Sequence, residues 1–191
     1  GMTAGDSHDA WGPFMVLTLV VVCRSVVVCG LRTFVPLYWI DVLGSSELAG
    51  ATALTIFLAG GAAGQLLGGI LSDRYGRTSV LRAAMAFIAP LCLLLLVLRN
   101  PVAAAAVAGM IGVALFAPFS VLIVLSQEYL PGHIGLASGV TMGLATSFGG
   151  VFAPLLGRVA DGYGLHTALV LMSFIPVIAA LLAGRLPRPA R

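Results

Sequence analysis

A chain of 191 residues that is 60% hydrophobic and 9% charged, with a mean hydropathy of +1.09, lies far from the soluble average of about 25% charged residues, so lipid rather than water is its main solvent. The net charge of +3 rests on arginine alone, without one lysine, and the arginines sit in turns and near the C-terminus rather than in runs, which argues against nucleic-acid binding. A spanning helix takes about 20 apolar residues, so these residues accommodate six spans with short connections and no soluble domain.

Residues 1–10 form a polar tail outside the predicted fold, and Gly1-Met2 reads either as a tag-cleavage scar before an initiating methionine or as the start of an excised fragment. The first span is predicted from Trp11 to Ile40, too long for a cleaved signal peptide, and contains Arg24, Arg32 and Pro36. The others are predicted over Glu47–Leu71, Val80–Leu98, Val102–Ser126, Ile134–Val159 and His166–Leu186, giving a membrane domain over 11–187 and a tail over 188–191. Pro90 and Pro118 predict kinks in the third and fourth spans, which neighbouring helices tolerate in a membrane. Cys23, Cys29 and Cys92 are odd in number and lie inside apolar segments, so they read as inert core residues; no motif asks for a metal or a cofactor. With a cytoplasmic N-terminus, that side receives Arg74, Arg77, Arg82, Arg185, Arg188 and Arg191, against Arg99 and Arg158 on the other. The positive-inside rule then places both termini in the cytoplasm, the loop with Asp41 and Glu47 outside, and the chain in the plasma membrane, which in a bacterium is the inner one.

The second span carries Gly60, Gly64 and Gly68 four apart, a stripe on which another backbone can approach closely in lipid. It runs directly into Gly69-Ile70-Leu71-Ser72-Asp73-Arg74-Tyr75-Gly76-Arg77-Thr78. G-x-x-x-D-x-x-G-R between two hydrophobic helices, carried by Gly69, Asp73, Gly76 and Arg77, resembles the signature loop of the major facilitator superfamily of transporters. The run Gly157-Arg158-Val159-Ala160-Asp161-Gly162-Tyr163-Gly164 repeats the G-x-x-x-D-x-x-G spacing three spans later, on the opposite side of the membrane. That is an inverted three-plus-three repeat of the kind nested within each six-helix half of this superfamily. The fifth span has its own glycine stripe, Gly139, Gly143 and Gly150, followed by Pro154.

Arg24 with the run Leu31-Arg32-Thr33-Phe34-Val35-Pro36-Leu37-Tyr38-Trp39, the loop Gln127-Glu128-Tyr129-Leu130-Pro131, and Ala137-Ser138-Gly139-Val140-Thr141-Met142-Gly143 look like the C-terminal half of the fosmidomycin resistance branch. Members of that branch are similar to one another as drug efflux carriers that exchange substrate for protons. The resemblance implies an all-α membrane fold, a half-bundle of six transmembrane helices, and transport of a small anionic organic molecule or drug by alternating access. It also implies that the second and fifth spans pack against another six-helix half. That half is either a second copy, since a parallel two-fold homodimer reproduces the arrangement, or a separately encoded N-terminal half. The alternative is a truncated half or a non-transporting assembly or regulatory subunit.

Arg24 is the sharpest candidate, because a guanidinium near the centre of a span costs at least about 2.5 to 3.5 kcal/mol on insertion scales and so faces a cavity or a partner. Arg32 lies eight residues on, two turns and about 80° round, so both line one wet groove and attract a phosphonate, phosphate or carboxylate. The competing reading has Arg32 snorkelling outwards and Arg24 tied to backbone carbonyls near a kinked segment. Gln65, the only amide of the second span, either faces the same cavity or bonds across a helix interface. Tyr38 either closes over substrate or joins Trp39 as an interfacial anchor. Phe116, Phe119, Phe148 and Phe152 read as packing rather than as a drug-binding cage.

Asp73, Arg74 and Arg77, with Gly69 and Gly76, are expected to form a cytoplasmic gate. Asp73 would accept from the free amides of the third helix and the arginines would bridge to a neighbouring helix end. The alternative is a static turn in which Gly76 supplies a positive φ. No Asp or Glu lies in the central part of any span, so proton exchange would fall to Asp41, His133, His166 or a group of another half. A six-helix intramembrane serine protease needs G-x-S-G. Gly135-Leu136-Ala137-Ser138-Gly139 has one residue too many, and His166 starts a helix at the wrong face, so no enzyme is expected.

Overall fold

The computed structural model describes residues 9–187, and the predicted tail segments 1–8 and 188–191 lie outside the described residues. Seven α-helices follow one another: α1 (Trp11–Leu37), α2 (Glu47–Tyr75), α3 (Arg77–Val97), α4 (Pro101–Phe116), α5 (Pro118–Tyr129), α6 (Ile134–Tyr163) and α7 (Leu165–Gly184). Because α4 and α5 form one span, they supply six helices long and apolar enough to cross a membrane, and no strand occurs among the described residues.

Local chemistry sets the helix ends. Ser46 Oγ accepts from the Ala49 amide at 3.3 Å to start α2, and Asn100 Oδ1 accepts from the Val102 amide at 2.9 Å ahead of Pro101 to start α4. α2 and α6 end on Gly76 and Gly164, each at φ +86°. Glycine meets no Cβ penalty there, so one residue joins each helix to the next. Both helices therefore outrun the apolar stretch that predicted them, α2 through Asp73-Arg74 and α6 through Asp161. α1 continues past Pro36, whose missing N–H leaves the ladder one bond short at the Arg32 carbonyl, into a single π-helical turn, Tyr38–Val42, in which the Leu43 amide donates to the Tyr38 carbonyl at 3.1 Å. The two predicted proline effects differ: α3 runs unbroken past Pro90, whereas the fourth span breaks at Ala117–Pro118.

The packing has the symmetry of the sequence repeat. Exchanging spans one, two and three with four, five and six turns the α2·α4 contact into α6·α1, α1·α7 into α4·α3, α1·α2 into α5·α6 and α2·α3 into α6·α7. The α3·α7 contact is its own image. All of these contacts are present, so the six spans pack as two three-span units with the pairing the repeat predicts.

The glycine stripes divide. A Cβ on Gly60, Gly64 or Gly68 would run into the backbone carbonyl oxygens of Gly109, Val113 and Ala117, so the α2 stripe is occupied inside the chain by the fourth span. The resemblance sets the second span against a partner half, but its glycine stripe is packed within the chain. Gly139, Gly143 and Gly150 on α6 meet no described atom within 4 Å of such a Cβ; the close approach to α1 is made by Gly149 instead. Only 22% and 12% of the apolar heart of α2 and of the fifth span is buried, against 39–56% in the other four spans, so these two helices present the open faces of the bundle.

Candidate functional site

α1 carries Arg24 into the middle of the bundle, where it is 3% exposed. Its Nε donates to the carbonyl oxygen of Leu115 at 2.7 Å. Pro118 has no amide for the Ala114 carbonyl four residues back, and Arg24 bonds the next carbonyl along, in the last turn of α4 before the break. The guanidinium carbon of Arg24 lies 5.4 Å from the centroid of the Phe116 ring and 5.1 Å from that of Phe119. Arg32, exposed two turns further on, stands 5.8 Å from the same Phe116 ring. One aromatic ring thus serves two cations, each such contact contributing about 0.5 to 1 kcal/mol.

α2 positions that ring. Phe57 meets Phe116 edge-on at 6.0 Å, and a Cβ on Gly61 would lie 2.7 Å from the ring, so glycine makes the room. Among the described residues no carboxylate pairs with Arg24 or Arg32, and the two terminal nitrogens of Arg24 make no hydrogen bond. Arg24 is thus tied through Nε to a carbonyl at the kink, as the competing reading has it, and its fork makes no bond to a described residue.

The other predicted contacts fall elsewhere. Tyr38 is 1% exposed and its hydroxyl donates, in bifurcated fashion, to the carbonyls of Leu95 at 2.8 Å and Leu98 at 2.9 Å. It closes the end of α3 rather than a substrate path. Trp39 is 2% exposed and packs edge-on against Tyr38 at 5.8 Å, so neither is a lipid-facing anchor: the π-helical turn rolls both rings inwards. Gln65 is exposed on α2 and bonds to no described residue.

At the end of the bundle where the described chain begins and finishes, the signature loop meets the fourth span. Gly76 has the positive φ of the turn reading, and Arg77 forms an ion pair with Glu128 at the end of α5. Arg74 and Asp73 are exposed; Gly76 rather than Asp73 caps α3, with no side-chain cap bond. Gly69 has open space where a Cβ would stand. The same end is laced further. Asp9 accepts from the Gly132 amide at 3.1 Å and pairs with His133 at 2.7 Å. Arg82 donates to the carbonyls of Ala183 at 2.9 Å and Leu186 at 2.7 Å, closing the C-terminus of α7.

The sequence profile of the Major Facilitator Superfamily matches residues 17–191. The chain belongs to the major facilitator superfamily. Among curated relatives, it is 37% identical over 148 residues to the MFS-type transporter YfnC of Bacillus subtilis (strain 168), covering 78% of this chain and 36% of the relative. It is 29% identical over 170 residues to the fosmidomycin resistance protein of Escherichia coli (strain K12), covering 87% of this chain and 41% of the relative. This major facilitator chain therefore spans about two-fifths of the length of the curated relatives it matches. With six helices long and apolar enough to cross a membrane, it is a multi-pass membrane protein of a superfamily of transporters.

Three participants were not singled out from sequence. Glu128 stands in the sequence only as part of the run Gln127–Pro131, and the position of that run after the fourth span, on the same side as Arg77, is the available signal. Phe116 had been assigned to packing, and only the fold brings both arginines over it. Ser25 carries no signal in the sequence that sets it apart from other serines within a span.

Proposed function

We propose that this chain carries a small organic anion across the bacterial inner membrane by alternating access, with Arg24 and Arg32 meeting the anion. The observation that supports this reading is the pair of guanidiniums sharing Phe116 with no described carboxylate beside them. Two like charges in a low-dielectric setting repel, and a phosphonate, phosphate or carboxylate relieves that repulsion while taking a bidentate bond from the free fork of Arg24. The name of the Escherichia coli relative makes fosmidomycin the first compound to test.

The Arg77–Glu128 pair is the cytoplasmic lock in this reading, and Asp73 and Arg74 stand exposed at the same loop to engage whatever closes over it. Both termini are cytoplasmic in this reading, which the arginine distribution supports. The open faces of α2 and α6 take a second six-helix half, either a second copy or a complementary chain. Proton coupling then draws on Asp41, on the His133–Asp9 pair, or on that second half.

Purified chain in proteoliposomes tests the reading by counterflow of radiolabelled fosmidomycin. Saturable counterflow that inorganic phosphate or another small phosphonate inhibits, and that a neutral solute of similar size does not, is the expected result. Counterflow indifferent to the charge of the competitor would overturn the anion assignment.

A further inference from the structure

We propose that Ser25 is a positioning residue that sets when α6 bends during transport, by competing with the backbone of α6 for one of its own hydrogen bonds. Ser25 follows Arg24 in α1 and is 2% exposed. Its hydroxyl donates to the carbonyl of Ala145 at 2.9 Å and accepts from the amide of Gly149 at 2.9 Å. Those two groups are four residues apart and are joined to each other in a regular α-helical turn. α6 runs as one helix through both groups, and a side chain that inserts into such a ladder is a known cause of helix bending.

The surroundings suit a two-position element. Gly149 lets α1 come in, since a Cβ there would lie 2.8 Å from both the Ser25 carbonyl oxygen and Cys29 Cβ. On the other flank Gly139, Gly143 and Gly150 have no described atom within 4 Å of a Cβ position, so nothing described in the chain opposes a bend. In one arrangement the hydroxyl bridges Ala145 and Gly149. In the other the α6 ladder closes on itself and the hydroxyl turns back to a carbonyl of its own helix, as serines within helices commonly do. Every polar group keeps a partner in both, which holds their energies close.

Arg24 and Ser25 are consecutive, and they reach the broken fourth span and α6 respectively. A ligand on the fork of Arg24 therefore pulls on the turn of α1 that holds α6. This link, though not the Ser25 bridge itself, rests on the anion reading given above.

The test compares wild type, Ser25→Ala and Ser25→Thr as full chains in lipid nanodiscs and proteoliposomes. Hydrogen exchange of the segment containing Gly149 is expected to slow about five-fold in Ser25→Ala, the equivalent of one net hydrogen bond no longer contested, and to stay near wild type in Ser25→Thr. With fosmidomycin as probe, Ser25→Ala should leave binding unchanged and reduce turnover about ten-fold, while Ser25→Thr restores it. Unchanged or faster exchange in Ser25→Ala would make the serine a static strut and overturn the proposal. So would equal losses of binding and turnover. If fosmidomycin is neither bound nor moved by wild type, the anion reading fails, and the exchange measurement still decides for Ser25.

Discussion

Replacing Arg24 by methionine separates a structural arginine from a functional one. Removing a buried guanidinium from mid-span saves about 2.5 to 3.5 kcal/mol on insertion scales. Against that stand the charged hydrogen bond from Nε to the Leu115 carbonyl at 2.7 Å, at about 1.5 to 3 kcal/mol, and the contacts with Phe116 and Phe119, at about 0.5 to 1 kcal/mol each. The opposing terms sum to about 2.5 to 5 kcal/mol, so Arg24→Met should change stability in nanodiscs by between a gain of about 1 and a loss of about 2.5 kcal/mol. Counterflow of fosmidomycin should nevertheless fall at least about 100-fold, because the fork that meets the anion is gone. Arg24→Lys keeps the charge but has no fork, and should retain partial transport with affinity lowered about ten-fold or more. The assay pairs thermal or denaturant unfolding with flux on the same preparations. A loss of 3 kcal/mol or more of stability, of the size expected when a buried charge pair is broken, would show that Arg24 is a strut for the kinked span. Normal flux in a stable Arg24→Met protein would remove it from the substrate path.

Arg77→Ala and Glu128→Ala should couple by only about 0.2 to 1 kcal/mol in a double-mutant cycle, since both side chains are about one-third exposed, and the coupling should shrink in high salt. A cycle without coupling at low salt would dismiss this pair as a lock. Gly68→Ala places a methyl against the Ala117 carbonyl and should destabilise by about 1 to 3 kcal/mol, whereas Gly143→Ala, in open space, should be neutral or slightly stabilising through helix propensity. Equal effects at the two sites would contradict the α2–α4 packing. The native mass of the chain in nanodiscs should show two copies if the open faces of α2 and α6 meet each other; a monomer at every concentration would leave them to a complementary half.

Six spans, the inverted repeat and membership in a transporter family were legible in the sequence because each depends on local properties. Apolar length defines a span, glycine at a fixed offset defines a one-residue connection, and Gly69, Asp73, Gly76 and Arg77 keep one loop's spacing. Arg24 was legible for the same reason, since a charge in a run of valines is conspicuous whatever surrounds it. What that arginine touches was not. Its contacts come from the fourth span, 91 residues away at Leu115, and depend on a helix break that Pro118 only made available. The tertiary structure likewise decided that the α2 glycines face inwards and three of the α6 glycines outwards, that Tyr38 closes α3 instead of a ligand path, and that Arg77 finds Glu128. Each of these turns on how helices rotate about their own axes when they pack. A chain that is apolar nearly all round carries little periodic signal to specify that rotation, so the contacts made by a few small and polar residues settle it.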